Sequence, residues 1–254
     1  MESINEHSAH SSSSKKGLSD FQIQKLDYYF KLFDSNENGL IEKDDLDGIV
    51  KDILKFTGWD KDSQRAHQTR EVYETFFEVL FEKADEDANA EIDKSEWLHM
   101  WERLLPGATS MNHFPVWLRL LPQTLFRIID RNEDGIISED EMRNFYENFI
   151  KIHPTEARVK AKRAMEEMTD FGYYQLDMEG YEQIFANFLL GRTPAGPGKY
   201  IFGCFDLGIY KFKLIMPQVE EEEDETPAAK RIIRKRLSDK AIQNPRVRVT
   251  ILPM

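Results

Sequence analysis

Three twelve-residue stretches, 34–45, 85–96 and 130–141, repeat one spacing of oxygen-bearing side chains. In the third, Asp130, Asn132, Asp134, Ser138 and Glu141 stand at positions 1, 3, 5, 9 and 12, with Gly135 at 6 and Ile137 at 8. Calcium is a hard cation that takes about six to eight oxygens, and a loop this short can wrap them around one ion only if it turns sharply at position 6. Position 7 adds a backbone carbonyl, here that of Ile136. A solvated acidic turn would satisfy one or two of these positions by accident, not all of them in three copies. The pattern therefore dictates helix, loop, helix at each copy.

Position 8 sets the register of the repeat. Ile41, Ile92, Ile137 and, in a degenerate fourth copy, Leu176 lie 51, 45 and 39 residues apart. Each copy has amphipathic stretches on both sides of its loop, such as 72–84 before the second and 139–152 after the third. Such a unit cannot bury its apolar face alone, and the position-8 residues of neighbouring loops form a short strand pair. Four copies make two pairs, Ile41 with Ile92 and Ile137 with Leu176. The predicted fold is all-α, with four EF-hand units in two pairs forming one compact body. Pro106, Gly107 and Pro115 break the periodicity between the pairs. The predicted segments are 1–17, disordered; 18–105, the first pair; 106–207, the second pair; and 208–254, a largely disordered tail. Order begins near Leu18, with Ser19 capping a helix that carries Phe21, Leu26, Tyr29, Phe30 and Phe33.

The loops differ in quality. The first supplies Asp34, Asn36, Asn38, the carbonyl of Leu40, Glu42 and Asp45, with Gly39 at position 6. Asp45 stands where glutamate is usual; one methylene shorter, it reaches less easily for two-oxygen coordination and favours a smaller, more octahedral ion. This site is expected to hold calcium or magnesium. The second has the most acidic set, Asp85, Asp87, Asn89, the carbonyl of Glu91, Asp93 and Glu96, but Ala90 at position 6. Alanine costs on the order of 1 kcal/mol in the conformation glycine adopts freely there. The third loop has no defect. In the fourth, Thr169, Phe171, Tyr173 and Gly180 occupy positions 1, 3, 5 and 12, leaving Asp177 as its only carboxylate at a ligand position. That copy is expected to serve as a packing partner without an ion.

A hydrophobic content of 41% is ample for a core, and no run of 18 apolar residues could span a bilayer. Residues 1–16 are polar and serine-rich where a signal peptide would need an apolar segment, and the single cysteine, Cys204, cannot form an internal disulfide. The expected location is the cytoplasm. Net charge is −12 overall but −15 over residues 18–210, so the body gains stability when cations neutralise it. The tail holds an acidic run, Glu220 to Glu225, and a basic stretch, Lys230 to Arg236, followed by Ser238 in a setting that suits a basophilic kinase. The basic stretch is a candidate contact for a protein target, the protein's own core or an anionic membrane surface. One basic stretch on an acidic body does not suit a nucleic-acid binder.

Four segments, Leu18-Ser19-Asp20-Phe21, Glu96-Trp97-Leu98-His99-Met100-Trp101, Pro115-Val116-Trp117-Leu118 and Gly198-Lys199-Tyr200-Ile201-Phe202-Gly203, together resemble the invertebrate sarcoplasmic calcium-binding proteins, most closely calexcitin-like members. The resemblance covers about residues 18–207. It implies four EF-hands with calcium in the first three loops and none in the fourth, including a second loop that binds without glycine at position 6. Pro122, which would start or kink the helix before the third loop, departs from the family, as does the tail. Calcium-regulated photoproteins resemble the architecture but have the reverse pattern, a weak second loop and an active fourth. A phosphate loop is imitated at Gly196-Pro197-Gly198-Lys199, but Thr193 stands in place of its first glycine and Tyr200 in place of its serine or threonine, so a nucleotide-hydrolysing enzyme fits poorly. The expected function is non-enzymatic, calcium buffering or calcium signalling by a monomer. The alternative is a sensor that regulates a protein or membrane target through the tail. Residues alone leave buffer and sensor open.

Overall fold

A computed structural model describes residues 17–203. Cys204, the acidic and basic runs, Ser238 and nearly all of the predicted disordered start lie outside that range. Eight α-helices and one two-stranded sheet make up most of it. The first helix, α1 (Asp20–Lys31), starts where Ser19 accepts from the Gln22 amide and the Gln22 side chain returns a bond to the Ser19 N–H. This reciprocal cap satisfies two amides that the helix itself cannot. After the first loop come β1 (Ile41–Glu42) and α2 (Asp45–Thr57), which ends at Gly58 in the left-handed conformation. Next are α3 (Gln64–Ala84), β2 (Glu91–Ile92) and α4 (Lys94–Leu104).

The second half contains α5 (Val116–Ile129), α6 (Glu139–Asn144), α7 (Pro154–Met168) and α8 (Met178–Leu190). Two expectations change here. Of the two roles expected of Pro122, starting α5 is excluded, because Pro115 holds the N-cap position and Pro122 lies buried in the helix interior. The exit helix of the third loop, expected to run to residue 152, widens into a π turn over Phe145–Phe149, with the Ile150 N–H donating to the Phe145 carbonyl. Lys151 then takes a positive φ of 67° and the Ile152 N–H donates to the Tyr146 carbonyl, closing the helix end.

Both predicted loop pairs form. Ile41 faces Ile92 in an antiparallel ladder, and the Ile137 N–H donates to the Leu176 carbonyl at 2.8 Å beside a bridge between Ile136 and Asp177. One apolar core crosses both pairs. Tyr29 on α1 sits 5.7 Å from Trp97 on α4 and 5.6 Å from both Phe188 on α8 and Phe202, ring centre to ring centre. The buried Trp97 indole donates to the Leu26 carbonyl, so its one polar group is satisfied. A buried apolar side chain contributes about 1.5–3 kcal/mol, so the aromatic centre is one tie between the halves. In the phosphate-loop imitation glycine serves packing, since a Cβ on Gly198 would lie 2.2 Å from the Phe188 amide nitrogen. Lys199 beside it is buried and donates to the Pro194 carbonyl.

Candidate metal centres

Each of the first three loops begins where a helix stops. Asp85 and Asp130 are the C-caps of α3 and α5, and Asp34 follows a last turn of α1 tightened by bonds three residues apart. From there the three backbones make the same bonds. The position-1 carboxylate accepts from the position-6 amide: Asp34 from Gly39 at 2.8 Å, Asp85 from Ala90 at 3.1 Å, Asp130 from Gly135 at 3.1 Å. Position 3 accepts from the amide of position 5, Asn36 from Asn38, Asp87 from Asn89 and Asn132 from Asp134. Position 5 accepts from position 7, so Asn38, Asn89 and Asp134 hold the amides of Leu40, Glu91 and Ile136. These short side-chain-to-backbone bonds fold the loop and aim its oxygens inward.

Position 12 closes each ring. Glu141 accepts from the Arg131 and Asn132 amides through one oxygen and from the Ser138 amide through the other. Glu96 does the same with the Glu86 and Asp93 amides. Asp45, although shorter, accepts from Ser35 and Asn36 at 2.9 and 3.2 Å and from Glu42 at 2.8 Å. The loop comes to the carboxylate instead of the carboxylate reaching out. Burial pushes the Asp45 carboxyl up from its ordinary value, the three amides oppose this, and the nearby Asp34 charge adds to the rise. An added cation would relieve both unfavourable contributions.

The first loop also begins its exit helix later. Asp93 and Ser138 at position 9 cap α4 and α6 with reciprocal bonds to Glu96 and Glu141. Glu42, longer, makes no such cap and instead reaches the Asn36 and Asn38 side-chain amides, so α2 starts only at Asp45. Gly48 on α2 is a contributor that loop spacing cannot reveal: a Cβ there would lie 2.8 Å from the Ser35 Cβ. Its absence lets position 2 of the loop lie against the exit helix.

The donor sets suit a hard divalent cation. Asp130 Oδ1 is buried with no hydrogen-bond partner, an arrangement expensive for a carboxylate unless a cation occupies that direction. Asp85, Asp87 and Glu96 bring one carboxylate oxygen each within 4.8 Å of one another. Ala90 takes the left-handed conformation at φ 66°, beside 89° for Gly39 and 81° for Gly135. A Cβ at either glycine would meet nothing within 4 Å, so the alanine penalty is backbone strain without a clash.

The fourth loop keeps its shape without this geometry. Thr169 at position 1 donates to the Met165 carbonyl and accepts from the Gly172 amide at 2.9 Å. Asp170, Phe171 and Gly172 all have positive φ, and Phe171 and Tyr173 at positions 3 and 5 turn outward, 77% and 54% exposed. Asp177 remains the one carboxylate at a ligand position of this loop, and it caps α8 by accepting from the Gly180 amide.

A family profile for the EF hand matches residues 123–146, the third loop with parts of its flanking helices. Sarcoplasmic calcium-binding proteins II, V, VI and VII of Branchiostoma lanceolatum are 28% identical over 192 residues, covering 74% of this chain and 98% of theirs. The solved sarcoplasmic calcium-binding protein of amphioxus superposes with a TM-score of 0.63 at 24% identity, over 74% of this chain and 98% of its own. Calcium-loaded apo-aequorin of Aequorea victoria superposes at 0.50 with 23% identity, over 68% and 93%. The last two likenesses concern the fold.

Proposed function

We propose that this chain, an EF-hand homologue of the sarcoplasmic calcium-binding proteins, binds calcium reversibly at its first three loops and acts as a monomeric cytoplasmic calcium buffer. The observation that carries the reading is the common bond pattern of the three loops, closed in each by the position-12 carboxylate, with Asp130 Oδ1 left for a cation. Asp34, Asn36, Asn38, Leu40 and Asp45 form the first site, Asp85, Asp87, Asn89, Glu91 and Glu96 the second, and Asp130, Asn132, Asp134, Ile136 and Glu141 the third. The first site also accepts magnesium, because Asp45 presents a short carboxylate drawn close by three amides, which suits a smaller ion.

The buffer reading is supported by where the apolar side chains lie. A sensor of this type exposes a groove when calcium opens its helix pairs. Met100 and Met142 are buried among the aromatic side chains, and Met165 and Met178 pack partly buried against them. The large apolar side chains exposed among the described residues are Val116, Val159, Phe171 and Tyr173, spread over α5, α7 and the fourth loop. Calorimetric titration with calcium, alone and with millimolar magnesium, is expected to show three sites, of which magnesium weakens the first most. Two sites would remove the second loop from the assignment. A calcium-dependent rise in apolar-dye binding would replace buffer with sensor.

A further inference from the structure

Positions 2 and 4 of these loops are not ligand positions, and their partners differ in one respect. In the first loop Ser35 lies against Gly48 of its own exit helix. Glu86 of the second pairs with Arg103 of its own exit helix at 2.6 Å. In the third loop both residues reach into the first half of the molecule. The Arg131 guanidinium lies 5.9 Å from the centre of the Phe56 ring, near the end of α2. Glu133, with φ 62°, forms a two-pronged ion pair with Arg65 in the first turn of α3. Glu37 and Ala88 at the same position make no such contact among the described residues.

The exit element of the third loop grips the same place. Phe145 and Phe149, on the π turn that follows α6, stack on each other at 5.3 Å and meet Phe56 edge-on at 6.1 and 5.4 Å. Phe56 is buried. It therefore sits between the third loop and that loop's exit element, on the helix that carries Asp45 at its other end. The following helix, α3, held by Arg65, ends at Asp85, position 1 of the second loop. Among the described residues, ladder contacts join the first loop only to the second, and the third only to the fourth.

We infer that the third loop is energetically coupled to the first across the two halves, through Arg131 and the Phe145–Phe149 turn on Phe56 and through Glu133 on Arg65. This rests on calcium occupying both loops. A cation fixing Arg131 and Glu133 in the ordered loop, and α6 at its exit, fixes the end of α2; α2 so held presents Asp45 to Ser35, Asn36 and Glu42. Ordering one site then lowers the ordering required of the other, and the dependence is reciprocal.

The Gly39 and Gly135 amides, each bonded to the position-1 carboxylate of its own loop, report the two sites separately by nuclear magnetic resonance during a calcium titration. Glu141→Gln, which silences the third loop, is expected to weaken calcium at Gly39 by about fivefold. In Arg65→Gln, with both residues of the pair exposed and no ligand touched, Gly39 is expected to titrate at higher calcium with Gly135 still responding. Adding Phe56→Leu should abolish most of the effect of Glu141→Gln. An unchanged Gly39 midpoint in both Glu141→Gln and Arg65→Gln, with both amides titrating in the parent, overturns the coupling. If neither amide responds in the parent, the calcium reading itself fails.

Discussion

Ala90 decides how good the second loop is. Its φ of 66° is one that an alanine adopts at an expense of about 1 kcal/mol, and no neighbouring atom adds to it. Opposing that strain, Asp85, Asp87 and Glu96 converge as three carboxylates, a denser charge than Asp34 and Asp45 give the first loop. Ala90→Gly is therefore expected to tighten calcium at the second loop by less than about tenfold, the factor that about 1.4 kcal/mol represents. Calorimetry on the paired variants measures this, and a weakened site would mean that loop entropy outweighs strain. Glycine at position 6 is thus a conformational preference here, since the second loop makes the same position-1 to position-6 bond with alanine.

Among the elements, α1 and α8 are joined by a buried ammonium. Lys25 Nζ donates to the Phe188 carbonyl and, at 2.7 Å, to the Gly191 carbonyl at the end of α8, with the Phe21 ring 4.8 Å away. A cation suits a helix C-terminus, where carbonyls lack partners. Burial nevertheless pushes the Lys25 ammonium down to about 7. The unfolded chain, with an ordinary lysine value near 10.5, then binds more protons than the folded one between pH 7 and that value. Stability attributable to this group therefore rises with pH across that window. Denaturant unfolding at pH 7 and 9 should show a rise in the parent that Lys25→Met lacks, with about 2–3 kcal/mol as the upper bound over two pH units. Equal pH dependence in both proteins would mean the carbonyls keep the ammonium charged throughout. Nothing in the spacing of α1 marks Lys25 for this role, since its partners are 163 and 166 residues away.

For the whole molecule, an acidic body with loops at the ends of its core helices should depend on cations for compactness. Each site that is filled at a hundredfold excess over its Kd adds about 2.7 kcal/mol to stability. Thermal unfolding in calcium is expected well above that in excess chelator; coincident transitions would separate binding from folding. Both loop pairs and the loops' common bond pattern were legible in the sequence because they depend on local spacing: each loop closes within twelve residues, and position 8 repeats at Ile41, Ile92, Ile137 and Leu176. Other features were not. Gly48 permits Ser35 to approach, the π turn at Phe145 to Phe149 aims two rings at Phe56, and Arg131 and Glu133 reach the first half. All are contacts between segments that no period relates. Order along the chain was enough to set four helix–loop–helix units and the bond pattern that folds the first three loops, because loop closure and helix amphipathicity act over a turn or two of chain. How the sites face one another emerged with the folded core, because close packing around Tyr29, Phe56 and Trp97 selects neighbours from segments far apart in the chain.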